Sequence, residues 1–187
     1  MFSVSLVAVI ILALGFDFIN GFHDTANSIA TSVSTRVLSP RQAITMAAVL
    51  NFLGAIVSSK VAHTISSGLV NISLPQYVII SALLAAIIWN LITWYFGIPS
   101  SSSHALIGGL IGATIAFASS TDTVIWSGVM QKVVIPLFTS PILGFVLGLI
   151  VMKFLFKILK PFSNSFVNKW FSKCQILSAA WMAFSHG

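Results

Sequence analysis

Apolar stretches dominate this chain, and they run on without the strict alternation that marks a half-exposed strand; Ile79–Ile88 is one uninterrupted example. The pattern predicts helical spans near Val4–Thr35, Gln42–Ser59, Gln76–Phe96 and Ile135–Met152, a shorter apolar element at His104–Ala118, and the start of another at Ile176–Phe184. Crossing a ~30 Å hydrocarbon core takes roughly 20 residues, and inside it only helices or closed barrels satisfy the backbone. The chain therefore reads as an all-α membrane protein of five to six helical segments.

Two segments do not fit a simple crossing. The first, about 32 residues and roughly 48 Å if straight, is expected to break or tilt near Asn20-Gly21. The His104 element, about 15 residues and ~22 Å, is expected to be half of a re-entrant hairpin returning through Val124–Ile135.

Composition sharpens the membrane reading: 57% of residues are hydrophobic, 6% are charged and the mean hydropathy is +1.03, values outside the range of soluble domains. No Lys or Arg precedes the first apolar segment and no A-x-A-like site follows it before the polar run, so it reads as a retained span. The single cysteine, Cys174, forms no internal disulfide. Much of the net charge of +6 comes from Lys153, Lys157, Lys160, Lys169 and Lys173, with Arg36 and Arg41 as a second cluster. Both are expected on the cytoplasmic side, with the N-terminus outside. Because the lysines flank membrane segments, lipid headgroups are better partners for them than nucleic acid. The expected division is a transmembrane repeat over 1–160, a basic cytoplasmic connector over 161–175 and the start of a second repeat over 176–187.

The first span ends in chemistry. Asp17, Asn20, Asp24, Asn27, Ser28, Thr31, Ser34 and Thr35 recur at helical spacing and share one face, with His23 at its edge. Hydroxyls on such a face serve helix–helix adhesion well. A carboxylate at membrane depth costs about 2.5–3.5 kcal/mol, so Asp24 with Asn20 and Asn27 points to a transport site; Asp17 fits either role. A second cluster, Pro99-Ser100-Ser101-Ser102-Ser103-His104, opens the helix that carries Gly108, Gly109 and Gly112. Serines cap a helix start, and the amides and dipole there also suit an oxyanion. Gly108-x-x-x-Gly112 suits close helix packing. Lys60 and His63 read as span-end residues, Trp89, Asn90, Thr93, Trp94 and Tyr95 as an interfacial belt, and Asp122 as a loop residue.

Two blocks resemble the inorganic phosphate transporter family, PiT, in its bacterial branch. One is Gly21-Phe22-His23-Asp24-Thr25-Ala26-Asn27, continuing through Thr35-Arg36 and Met46–Gly54; the other runs from Trp89 through Gly97-Ile98-Pro99 to His104. The resemblance implies a multi-pass plasma-membrane carrier of inorganic phosphate coupled to a cation, built from two inverted halves, and not an enzyme. The tail, Ile176–Gly187, resembles the start of the family's second signature, so this chain is expected to be one half, inactive in transport without the second repeat.

Residue chemistry then suggests roles. Asp24, Asn20, Asn27 and Asp17 are candidates for the coupling cation, whether proton, sodium or a divalent metal complexed with phosphate. Asp24, Thr25, Asn27, Ser101, Ser102, Ser103 and His104 are candidates for phosphate. Asp24 would accept the P–OH that phosphate has and sulfate lacks. An intramembrane hydrolase using Ser102 or Ser103 with His104 and Asp24 is the alternative from another class, though no G-x-S-x-G elbow is present. A non-transporting membrane subunit is the third reading.

Overall fold

A computed structural model describes residues 3–57 and 68–186. Its helices follow the apolar runs: α1 is Val4–Ser34, α2 Pro40–Val57, α3 Gln76–Tyr95, α4 Ser102–Ala118, α5 Trp126–Leu159 and α6 Asn164–His186. Four of them, α1, α2, α3 and α5, are long and apolar enough to cross a membrane. Lys60 and His63 lie outside the described residues.

The chain divides into two compact units, Met1–Asn27 with Ser58–Gly128, and Ser28–Val57 with Val129–Gly187. In the first, Phe16 of α1 packs with Leu83 and Ala86 of α3, flanked by Val9, Leu12, Ile79, Ala105 and Leu106. Contacts climb both helices in the same direction, from Ser3 donating to Gln76 Oε1 (3.1 Å) to Phe22 edge-on to Trp94 (5.6 Å). Thus α1 and α3 run parallel. Helix α4 returns along α3, from Trp89 Nε1 donating to Ser100 Oγ (3.2 Å) to Phe117 against Tyr77 (5.8 Å).

That hairpin is close because of one glycine. A Cβ on Gly109 would sit 2.6 Å from the Ala82 carbonyl oxygen, whereas Gly108 and Gly112 have nothing within 4 Å of theirs. The close approach therefore rests on Gly109 and not on the Gly108-x-x-x-Gly112 pair the spacing suggested. Gly109→Ala should force α3 and α4 apart and cost about 1–3 kcal/mol. Gly112→Ala should instead add up to about 1 kcal/mol of helix propensity. Thermal unfolding in detergent, followed by circular dichroism, should rank the variants Gly112→Ala, parent, Gly109→Ala.

In the second unit, Ala43 and Ala47 of α2 meet Ala183 of α6, with Ile29, Val33, Leu38 and Leu50 around them. Small residues let the two backbones approach. Helix α1 ends in a Schellman turn, with Val37 N–H on Ser32 O (3.0 Å), Arg36 N–H on Val33 O (3.0 Å) and Arg36 at φ 60°.

Two expectations change. The first helix does not break: Val4–Ser34 is one α-helix of 31 residues, about 46 Å long. Gly21 costs an α-helix only about 1 kcal/mol, too little to break it, and the Thr25 hydroxyl donates back to the Gly21 carbonyl, a bond that bends a helix without interrupting it. The return limb expected at Val124–Ile135 is not separate from the next span. It forms the start of α5, which passes through a π turn at Met130–Val134 and continues to Leu159. Pro136 has no N–H for the ladder, and the turn before it absorbs the change of register, with Ile135 N–H reaching back to Met130 O. The basic stretch 161–175 is mostly helical, forming the first turns of α6 in one piece with 176–186, because nothing after Pro161 breaks the helix.

Candidate functional site

The link from α3 to α4 fixes the serine cluster. Gly97, at φ 65°, closes α3 in a second Schellman turn, with Ile98 N–H on Thr93 O (2.8 Å) and Gly97 N–H on Trp94 O (3.1 Å). Pro99 then prevents the helix from continuing. Ser101 becomes the N-cap of α4, its Oγ accepting from the His104 amide (3.4 Å).

One residue further on, Ser102 is fully buried and turned onto α1. Its hydroxyl donates to Asp24 Oδ2 at 2.8 Å and also contacts Asn20 Oδ1. Asp24 Oδ1 faces His23 Nδ1 at 3.2 Å. A hydroxyl has one proton to share between these acceptors. The cluster is therefore rich in acceptor oxygens and poor in donors, a chemistry that suits a metal cation, a proton or an acidic P–OH.

The other candidates separate from this cluster. Ser100, Ser101 and His104 line a groove of about 650 Å³ along the α3–α4 hairpin, with Ser81, Trp89 and the open faces of Gly108 and Gly112. Neither Asp24 nor Ser102 lines it. Successive residues on the first turn of a helix point in different directions, so four serines cannot all serve one ligand. Ser103, Asn27 and Asp17 are exposed within the structure, while Thr25 is partly buried. The hydrolase arrangement does not form at Ser102, since its partner is the Asp24 carboxylate and His104 sits on the groove. A triad needs the imidazole between serine and carboxylate.

Sequence pattern missed Asn90. Grouped above with an interfacial belt, Asn90 and Thr93 are buried, while Trp89, Trp94 and Tyr95 are exposed. Thr93 Oγ1 donates to Trp89 O (3.0 Å) and approaches Asn90 O (3.1 Å), whereas neither end of the Asn90 amide has a hydrogen-bond partner among the described residues. In the parallel pairing of α1 and α3, Asn90 lies between the levels of Phe16 and Phe22, the depth of the Asp24–Ser102 cluster's lower edge. The available signal was the i, i+3 spacing of Asn90 and Thr93, which puts two polar groups on one face of an otherwise apolar helix.

The profile of the phosphate transporter family matches residues 20–168, which include α1 from Asn20 onward, the Ser102 turn and all of α5. The chain belongs to that family. It is 50% identical over 184 residues to a probable low-affinity inorganic phosphate transporter of Bacillus subtilis, covering 97% of this chain and 55% of that protein. A protein of the same description from Streptomyces halstedii is 45% identical, with 97% and 85% covered. The low-affinity inorganic phosphate transporter PitA of Escherichia coli is 36% identical, with 95% and 42% covered. Among solved structures, a sodium-dependent phosphate transporter superposes with a TM-score of 0.75 at 32% identity, over 82% of this chain and 40% of that one. The chain thus spans about half the length of several relatives it matches. Its family and its apolar helices make it a multi-pass protein of the plasma membrane, in a family of transporters and not of enzymes.

Proposed function

We propose that this chain supplies one half-site of a secondary carrier that moves inorganic phosphate across the membrane together with a cation. The observation that carries this reading is the Ser102 hydroxyl seated on Asp24 and Asn20, which joins the two polar clusters of the sequence in one acceptor-rich site at membrane depth. The names of its relatives supply the substrate.

Phosphate and Asp24 are both negative, and no Lys or Arg stands in the α1 stripe, so a positive charge must accompany the anion. Asp24, Asn20 and, from the same face, Asn27 and Asp17 offer oxygens to a proton or to sodium, or to a divalent metal arriving with phosphate. The structural relative is named for sodium, while the bacterial relatives carry no coupling cation in their names. Phosphate itself would meet the amides at the start of α4, together with Thr25 and Ser103, with Ser101 as the cap that holds that helix start in place. In carriers built from inverted repeats the site lies between two halves, so the second repeat is the expected partner.

Uptake of radiolabelled phosphate into vesicles, with this chain alone and with a second half, at varied pH, sodium and magnesium, tests the reading. Uptake is expected only with both halves, and the condition that drives it names the coupling ion. Uptake by the chain alone would refute the half-site; none with a competent second half would leave the chain a non-transporting subunit.

A further inference from the structure

Outside the transport cluster, the most unusual surface is where α5 meets α6. Lys153, Lys157 and Lys160 recur at i, i+4 and i+7 at the end of α5, and Lys169 and Lys173 at i and i+4 on α6. No acidic residue follows Asp122 anywhere in the chain, so these charges meet no carboxylate in this region. Between them runs an aromatic ladder: Phe162 stacks on Phe166 at 5.0 Å, Phe166 meets Trp170 at 6.1 Å, and the Lys173 ammonium sits 5.2 Å over the Trp170 ring.

The packing of α6 fixes which way this face looks. Ala179 and Ala183 are buried, Ala183 against α2, so the side of α6 bearing Trp170, Leu177 and Trp181 points away from that contact, with Lys173 on its flank; Lys169, nearer the Ala183 side, is exposed at the start of the helix. Leu177 and Trp181 are 72% and 74% exposed. Along α6 the order of this stripe is therefore two ammonium groups with an indole between them, at Lys169, Trp170 and Lys173, followed by bare hydrocarbon at Leu177 and Trp181 over the next two turns. Below the lysines, Cys174, Leu177, Ser178, Trp181 and Phe184 with Leu50 of α2 line an apolar groove of about 630 Å³.

We infer that this stripe is a binding site for anionic phospholipid, with the headgroup phosphate held by Lys169 and Lys173, supported by the lysines at the end of α5, and an acyl chain in the groove beneath. A diacyl anion has the same order of chemistry as the stripe, charge first and hydrocarbon next. A zwitterionic lipid would fill the groove but bring no net charge to five unpaired lysines. Each lysine near an anionic surface contributes about 1 kcal/mol, so the preference grows with their number. A soluble acidic protein would satisfy the lysines but leave Leu177 and Trp181 uncovered.

Cys174, exposed and adjacent to Lys173, is the only cysteine and provides the probe. The full chain, labelled there with bimane, is reconstituted in phosphatidylcholine vesicles containing either brominated phosphatidylglycerol or brominated phosphatidylcholine. Quenching should favour the anionic lipid by about fivefold or more in effective local concentration, the effect of even one well-placed lysine. The preference should weaken as salt is raised. A variant with Lys157, Lys160, Lys169 and Lys173 all replaced by Gln should quench equally with both lipids, while the matching Arg variant, retaining charge, should keep the preference. Equal quenching in the parent chain, a preference that survives the Gln substitutions, or no quenching by either lipid because protein covers the face would each overturn the proposal.

Discussion

Asp24→Asn is expected to reduce phosphate uptake by roughly 10- to 100-fold in an assembly containing both halves. The substitution keeps the shape of the side chain, so α1 should form and insert as before, and an amide at this depth is easier to bury than a carboxylate. What disappears is the charge. Ser102 then donates to a neutral acceptor instead of a charged one, and a charge-assisted hydrogen bond is worth about 1.5–3 kcal/mol against about 1 for a neutral bond. A coupling cation loses its only formal counter-charge in the Ser102–Asn20–Asp24 cluster. The amide also presents an NH2 where phosphate's P–OH needs an acceptor. Uptake should fall, and the preference for phosphate over sulfate should shrink with it. Competition of unlabelled sulfate against radiolabelled phosphate in reconstituted vesicles measures both. Unchanged uptake and unchanged preference would remove Asp24 from the mechanism.

Ser102→Ala should impair uptake nearly as much, and its neighbour Ser101→Ala should not. The two hydroxyls are one residue apart and do different work. Ser102 is buried and bridges α4 to Asn20 and Asp24, so its removal leaves two partly buried acceptors without their donor, at a cost of about 1–3 kcal/mol, or roughly 5- to 100-fold in uptake. Ser101 is exposed and caps α4 by accepting from the His104 amide; Ala there should cost about 1 kcal/mol of stability and leave uptake within a fewfold of the parent. Measuring uptake and thermal unfolding for both variants separates the roles. A larger uptake loss for Ser101→Ala than for Ser102→Ala would place the functional hydroxyl on the groove side of α4 instead.

This contrast marks how far the sequence could go. Runs such as Ile79–Ile88 located the helices because backbone amides in hydrocarbon leave no alternative, and α1, α2, α3 and α5 all fall on predicted spans. The polar stripe on α1 was equally visible, since helical spacing alone places Asp24 on the face of Asn20. The expected break at Gly21 failed because a glycine only weakens a helix locally, while the packing of Phe16 against α3 supports the turns before it. The choice among four adjacent serines was not visible. It depends on the rotation of α4 about its own axis, which Gly109 against Ala82 and the turn at Gly97 set. Asn90 was hidden for a related reason: a lone amide beside two tryptophans reads as interfacial until the neighbouring helix that covers it is known.

By itself, then, the sequence determined that this is a helical membrane protein, where its spans run, its resemblance to phosphate carriers and which face of α1 carries the chemistry, because all of these follow from periodicity and from the cost of polar groups in hydrocarbon. Only the tertiary structure decided that Ser102, of all the hydroxyls in its cluster, reaches Asp24 and Asn20, that Gly109 sets the α3–α4 spacing, and that the lysine–aromatic stripe of α6 faces outward. Those are matters of how one helix is rotated against another, which rest on contacts between residues far apart in the chain.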